Sequence, residues 1–145
     1  MSVDPNLHVP IYEQIVEHIR GSVAAGVHRP GEALPSIRAL AVELLVNPNT
    51  VQRAYQELER QGLVKTRKGR GVFVTEDGDA SAQSRSAAAV QARFTDGIQV
   101  GKTARLPDDR IESIFRNAMA AADGSEQTDR ADARGDTSPE ARDES

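Results

Sequence analysis

The sequence predicts a mainly α-helical fold of the α+β class, in which short helices carry one small β-hairpin. Apolar residues recur at helical spacing in three segments of the first half of the chain. Two short apolar runs then flank a basic stretch with two glycines, which is typical of a hairpin. After these elements we expect a short helical region and a polar tail.

Composition excludes several kinds of site. At 145 residues the chain allows one domain with an appendage, or two small domains. It has no cysteine, which excludes disulfides, zinc–thiolate sites and cysteine nucleophiles. No apolar run approaches the ~20 residues of a membrane span, and the N-terminus lacks the parts of a signal peptide. We therefore expect a cytoplasmic protein without a membrane partner.

The formal net charge of −4 is unevenly distributed. Residues 1–75 hold nine Lys and Arg against seven Asp and Glu, whereas residues 76–145 hold nine against fifteen. Four basic residues lie within six positions without an acid among them: Lys65, Arg67, Lys68 and Arg70. Because phosphate binding is a local electrostatic matter, this cluster counts for more than the total charge.

The first predicted helix follows an arm of nine residues that we expect to be loose. Pro10 opens the helix, and Gly26 is placed to cap its C-terminus. Val16 widens an apolar stripe that recurs every fourth residue: Ile11, Ile15, Ile19 and Val23. We interpret this segment as a core helix without a contact role.

A turn and a second helix come next. Pro30-Gly31 fits a type II turn, and the extended piece Glu32-Ala33-Leu34 is expected to pair with the hairpin as a third strand. Ser36 then caps a helix that runs to about Leu45. Its predicted buried stripe consists of Ile37, Leu40, Ala41 and Leu44.

Arg38 lies in the first turn of this second helix, where the helix dipole disfavours a cation. The misfit suggests that an anion binds outside. A solvated surface arginine is the alternative.

The third helix has two different faces. Asn47 can accept hydrogen bonds from the first turn, and Pro48 suits the first helical position because no N–H is needed there. Its apolar face comprises Val51, Ala54, Tyr55 and Leu58. The opposite face carries Asn49, Gln52, Arg53 and Gln56. A helix that offers amides and an arginine on one side suits the DNA major groove.

A basic hairpin follows directly. Gly62 ends the third helix, strands are expected near residues 63–68 and 72–75, and Phe73 is expected to point inward between the helices. The glycines let the turn approach a phosphate backbone closely, and Lys68 and Arg70 supply charge. After a helix-turn-helix pattern, such a hairpin is a wing.

Residues 10–75 resemble the winged helix of the GntR family of bacterial transcription regulators. The matching residues include Pro10-Ile11-Tyr12, Leu34-Pro35-Ser36, Arg38, Asn47-Pro48-Asn49-Thr50-Val51, Ala54-Tyr55, Gly69, Gly71 and Phe73. The form of the third helix and the short C-terminal region are most similar to the YtrA-like subfamily. The resemblance implies a dimeric repressor that binds a near-palindromic operator and controls its own gene. It also implies that this gene lies beside a transporter operon, which the repressor would control.

In relatives, the residues matching Arg38, the start of the recognition helix and the wing tip contact DNA. With their neighbours, the predicted DNA-binding residues are Ser36, Arg38, Asn47, Asn49, Thr50, Gln52, Arg53, Lys68, Gly69 and Arg70. Many relatives carry an arginine where this chain has Pro48, so guanine reading should fall on Arg53 or Arg38. Alternatively, Arg53 braces a phosphate or pairs with Glu57.

The winged helix is predicted to span residues 10–76. Residues 77–122 are predicted to form a linker and a two-helix dimerisation region. The two helices carry sparse apolar stripes, with Val90, Phe94 and Ile98 in one and Ile111, Ile114, Phe115 and Met119 in the other. Asp108 caps the second of these helices. Neither helix can bury its own stripe, so we expect packing on a second copy. Residues 123–145, with eight acids and no apolar residue larger than alanine, predict a disordered acidic tail.

Two other classes of function are alternatives. The first is a winged-helix module that binds protein and no specific DNA. The second is an enzyme, because related MocR-type proteins fuse this domain to an aminotransferase-like part. Only about 70 residues follow the wing here, and they contain no Gly-rich phosphate loop, which argues against an enzyme. His18 has no second metal ligand at helical spacing. We therefore expect no enzyme activity, cofactor or metal site, and leave the operator and any effector open.

Overall fold

The computed structural model describes residues 1–132, with side chains described as far as residue 124. Residues 1–132 form five helices and two strands: α1 (Ile11–Ala24), α2 (Ile37–Leu44), α3 (Pro48–Arg60), β1 (Val64–Arg67), β2 (Gly71–Val74), α4 (Gly78–Thr103) and α5 (Asp108–Asp132). The predicted fold class, mainly helical with one small hairpin, is confirmed. Two compact units are distinguished, of which the first comprises Met1–Arg93 and the second begins at Phe94.

The core of the first unit is formed by the apolar stripes that the sequence predicted. Their buried members in α1, α2 and α3 are Ile15, Val16, Ile19, Val23, Leu40, Ala41, Leu44, Val51, Ala54, Tyr55 and Leu58. Leu63, Val64 and Val74 extend this core into the base of the hairpin. Burial of these side chains, at roughly 1.5–3 kcal/mol for each large aliphatic, is what holds the three helices together.

Caps end and begin the helices where the sequence placed them. The Ser36 hydroxyl accepts a hydrogen bond from the Ala39 N–H at 3.1 Å, and the Asn47 side-chain oxygen accepts one from the Asn49 N–H at 2.8 Å. After α3, Gly62 adopts a φ of 77°, which lets the chain leave the helix without a steric penalty. The turn between α2 and α3 therefore has defined geometry at both of its ends.

The two strands pair antiparallel, in a register that runs from Val64 opposite Val74 to Arg67 opposite Gly71. The segment before α2 adds to this sheet, as predicted, although as a single bridge and not as a full strand. The Leu34 N–H donates to the Val72 carbonyl at 2.8 Å, and the Val74 N–H donates to the Glu32 carbonyl at 2.9 Å.

The expectation that Phe73 points inward is wrong. Val74 is only 2% exposed and lies opposite the buried Val64. Because side chains alternate along a strand, Phe73 falls on the other face of the hairpin. There the guanidinium carbon of Arg67 lies 5.1 Å from the centre of its ring.

The first unit extends beyond the predicted winged helix at both ends. The arm is tied down, since the Gln14 side chain accepts from the Asp4 N–H at 2.9 Å and donates to the Val9 carbonyl at 2.9 Å. The predicted linker is the first part of α4, where Ala82 is fully buried in the core. The compact unit runs to Arg93, whereas the winged helix is predicted to end at residue 76.

The second unit contains the end of α4 and all of α5. The rings of Phe94 and Phe115 meet edge to face, with centroids 5.3 Å apart. Gly101 lies within α4, and a Cβ there would come within 2.9 Å of Ile111. The disordered tail was predicted to begin at residue 123, but the backbone of α5 is helical to Asp132. The helix continues because each residue added to a formed helix gains a backbone hydrogen bond. The rest of the predicted tail, residues 133–145, lies outside the described residues.

Candidate nucleic-acid interface

A partly buried hydrogen bond joins α3 to the segment that leads into α2, in addition to the apolar contacts between the two helices. The Tyr55 hydroxyl on α3 donates to the Pro35 carbonyl at 2.7 Å. Burial raises the pKa of Tyr55 to about 12, so the hydroxyl keeps its proton at any physiological pH. The bond holds the start of α2, with Ser36 and Arg38, at a set distance from α3.

The polar face that the sequence predicted on α3 is exposed. Asn49, Gln52, Arg53 and Gln56 are all classed as exposed, and Thr50 beside them is half-buried. Their amide and guanidinium groups can donate hydrogen bonds outward, which is what reading of base edges requires.

Arg53 has a partner that we did not predict from the sequence. Its guanidinium carbon lies 3.8 Å from the centre of the Tyr12 ring on α1, a stacked cation–π contact. The Tyr12 hydroxyl in turn donates to a Glu13 carboxylate oxygen at 2.9 Å. One signal for this contact was present in the sequence: Tyr12 is an aromatic residue outside the apolar stripe of α1.

Glu57, the alternative partner considered for Arg53, binds other groups. Its carboxylate accepts from the Arg60 Nε at 2.8 Å and from the Gln61 side-chain amide at 2.9 Å. The hydrogen bonds from Arg60 and Gln61 lower the pKa of Glu57 to about 2. The negative charge of Glu57 is therefore directed to the C-terminal end of α3.

The wing is fixed to the recognition helix by a second acidic residue, which we also did not predict. The Glu59 carboxylate on α3 accepts from the Thr66 hydroxyl at 2.9 Å and from the Thr66 N–H at 3.3 Å. At the base of the hairpin, the Thr75 hydroxyl donates to the Gly62 carbonyl at 2.8 Å. The wing and α3 are thus positioned as one surface.

Positive charge on this surface is largely uncompensated. Within residues 1–124, no carboxylate forms a salt bridge with Arg38, Lys65, Lys68 or Arg70, all of which are exposed. Gly69 lies between the last two at the exposed wing tip. Free cations at the wing and at the start of α2 suit a polyanion such as the DNA backbone.

Ser36 and Asn47, both predicted to contact DNA, serve as helix caps in the structure. Their oxygen atoms accept hydrogen bonds from the Ala39 and Asn49 N–H groups. The hydroxyl proton of Ser36 and the amide protons of Asn47 are donors that capping does not use. Any contact from these two residues to a phosphate would therefore be made as donors.

The structure brings part of the predicted set together. Asn49, Thr50 and Arg53 line one open cavity of about 370 Å³ with Ile11 and Tyr12. Among residues 1–124 no group of His, Asp and Glu side chains could hold a metal ion. No helix in the described part of the chain is long and apolar enough to cross a membrane.

The chain is similar to known bacterial regulatory proteins. A family model described as bacterial regulatory proteins of the gntR family matches residues 11–74. The chain is similar to the transcriptional repressor YtrA of Bacillus subtilis (strain 168), with 44% identity over 77 residues that cover 53% of this chain and 59% of the repressor. The aligned part of the chain spans less than two thirds of the length of the first curated relatives.

Two solved structures extend the similarity beyond the wing. A GntR family transcriptional regulator from Listeria monocytogenes matches with a TM-score of 0.64 and 32% identity, over 79% of this chain and 98% of that protein. YtrA from Sulfolobus acidocaldarius, described as a GntR-family transcription factor, matches with a TM-score of 0.51 and 27% identity, over 85% of this chain and 99% of the other. Both alignments cover more of the chain than its first unit does.

Proposed function

Because the chain belongs to the GntR family of bacterial regulatory proteins, we propose that it is a sequence-specific DNA-binding transcription regulator that acts as a dimeric repressor. One observation carries the proposal: the exposed polar face of α3 and the basic wing are joined by Glu59 and Thr66 into one surface. A surface of this kind supplies base-reading groups and phosphate-binding groups at once.

Within this surface the residues divide by chemistry. Asn49 and Gln52 on α3 have amides that can pair with adenine, and Arg38 can pair with guanine. Lys68 and Arg70 extend from the wing tip, where the glycine between them allows close approach to the backbone. We assign base reading to the helix and sequence-independent phosphate binding to the wing.

Dimerisation would follow from the second unit. Phe94, Ile98, Ile114, Phe115 and Met119 are each 44–51% exposed, although all are apolar. Pairing of these five side chains with those of a second copy would remove them from water. The gain in free energy would be about 25 cal/mol for each Å² of apolar surface buried. A dimer of this kind binds a near-palindromic operator whose half-sites lie about one helical turn apart or slightly more.

The proposal extends to the genes that this protein controls. The relative from Bacillus subtilis is named a transcriptional repressor. We expect this protein to repress its own gene and an adjacent transporter operon, with the operator in the DNA directly upstream.

Footprinting on the DNA upstream of the protein's own gene tests the proposal. The wild-type protein should protect two half-sites, and a variant with Arg38→Ala, Lys68→Ala and Arg70→Ala should lose this protection. Arg110→Ala removes a cation from an exposed position in α5 and serves as the matched control. Equal protection by the triple variant, or regulation without any protection, would favour a winged-helix module that binds protein.

A further inference from the structure

The contact between Tyr12 and Arg53 gives α1 a part in DNA binding. We infer that Tyr12 is a positioning residue, whose ring holds the Arg53 guanidinium beside the recognition helix so that it binds a DNA phosphate and not a base. This inference rests on the proposed function, because it concerns how the same surface meets DNA.

The position of Arg53 on α3 is the first argument. Thr50 and Arg53 are three residues apart and share one flank of the helix, and the Arg53 guanidinium lies over the Tyr12 ring of α1. Gln52 and Glu59 are seven residues apart and share the opposite flank, where Glu59 binds the wing. Arg53 therefore lies on the α1 side of the recognition helix.

The central line of α3 is occupied by other residues. Asn49 and Gln56 are two helical turns apart, are both exposed, and lie between the two flanks. When a helix enters the major groove, its central line faces the base edges at the floor, and its flanks face the phosphates of the walls. A guanidinium held on a flank is therefore placed for a wall.

The stacked geometry is the second argument. An arginine over a tyrosine ring uses the face of its guanidinium, and the N–H groups in its plane are left to donate. The bond from the Tyr12 hydroxyl to Glu13 at 2.9 Å restrains the ring that supports it. Because the side chain is already ordered, it loses less conformational entropy when a phosphate binds.

The charge of Arg53 is available for this contact. Within residues 1–124 no carboxylate forms a salt bridge with it, and Glu57 is occupied by Arg60 and Gln61. Base reading is then left to Asn49 and Gln56 on the central line, with Arg38 as the guanine reader. The sequence-based hypothesis that Arg53 reads guanine predicts a different result in the same experiment.

The test uses the full chain and a duplex with the site recovered by selection from randomised DNA. Tyr12→Phe keeps the ring, Tyr12→Leu removes it, and each is made with Arg53 and with Arg53→Ala. Tyr12→Leu should weaken binding about two- to fivefold, the usual range for an exposed cation–π contact. Tyr12→Phe keeps the ring and loses only the bond to Glu13, so it should weaken binding less than Tyr12→Leu does.

Three further readouts separate positioning from general damage. Tyr12→Leu should have no added effect in the Arg53→Ala background. Arg53→Ala should make the salt dependence of binding shallower by about one unit of slope, as expected for one lost phosphate contact. The base preferences selected from randomised DNA should be the same for the wild type, Tyr12→Leu and Arg53→Ala.

Other outcomes overturn the inference. An equal effect of Tyr12→Leu with and without Arg53 means that the ring only supports α1, and a changed base profile for Arg53→Ala makes this arginine a base reader. If Tyr12→Leu does not fold, Arg53→Lys replaces it: loss of affinity despite the retained charge supports stacking, and wild-type binding contradicts it. A wild-type protein that selects no sequence refutes the proposed function itself.

Discussion

The two units of this protein differ in where their apolar residues lie. In the first unit, Val51 and Leu58 are 0% exposed, and the outward face of the same helix is polar. In the second unit, Phe94 and Phe115 contact each other and are still 47% and 45% exposed. The first unit buries a core within one chain, whereas the helical hairpin of the second unit leaves much of its apolar surface exposed.

The two units are therefore suited to different roles. A unit with a finished core can hold an arginine, a wing and a recognition helix in fixed geometry. In the proposed dimer, the second unit would be stabilised by a second copy that covers its exposed apolar side chains. We therefore expect substitutions in the first unit to change folding and DNA contacts, and substitutions in the second to change assembly.

The largest effect is expected when the two units are separated. A chain that ends at Arg93 should fold and be monomeric, and its operator affinity should fall by about 10²–10⁴-fold because two linked half-site contacts are reduced to one. Sedimentation velocity and a binding titration measure the two changes. A truncated chain that still sediments as a dimer would contradict the division of roles.

The cut should not be made at the end of the wing. A chain that ends at Thr75 lacks Ala82, which is fully buried in the core of the first unit. We expect it to melt at a lower temperature than the chain that ends at Arg93. Equal melting temperatures would mean that α4 contributes nothing to the first unit.

One substitution in each unit should have different consequences. Leu58→Ala should lower the free energy of unfolding by about 2–5 kcal/mol, because it opens a cavity at a fully buried position. Phe115→Ala should leave the unfolding of the first unit unchanged and raise the dimer dissociation constant. Thermal melts at two protein concentrations distinguish these effects, since only dimer loss depends on concentration.

The wing gives an effect of intermediate size. Lys68→Ala and Arg70→Ala should each weaken binding to all DNA sequences and reduce the slope of log affinity against log salt by about 0.9 for each lost phosphate contact. Titrations at several salt concentrations measure the slope. A changed base preference with an unchanged slope would make the wing a base reader.

The smallest expected effect concerns the pKa of Tyr12. The hydrogen bond to Glu13 raises this pKa, and the positive charge of Arg53 opposes the rise because it favours the phenolate. Arg53→Ala should therefore move the Tyr12 pKa further upward, which an alkaline titration followed by NMR can detect. A downward shift would contradict the stacked contact.

Much of the first unit was predictable because it depends on short-range physics. Helical spacing identified the buried stripes, and the caps at Ser36 and Asn47 were predicted because a side-chain oxygen there meets the free N–H groups of its own helix. The exposed face of α3 followed from the same spacing. In each of these cases the deciding contact lies within a few residues of sequence.

The tertiary structure alone decided the contacts between elements. Spacing could not place Phe73 on the outer face, because the pairing of Val74 with Val64 sets which side of the hairpin is buried. The contact of Arg53 with Tyr12 and that of Glu59 with Thr66 join residues on separate elements. Sequence determined the local faces, caps and charges of this protein, whereas packing determined which of them meet, because many arrangements satisfy the same local pattern and only one buries the shared core.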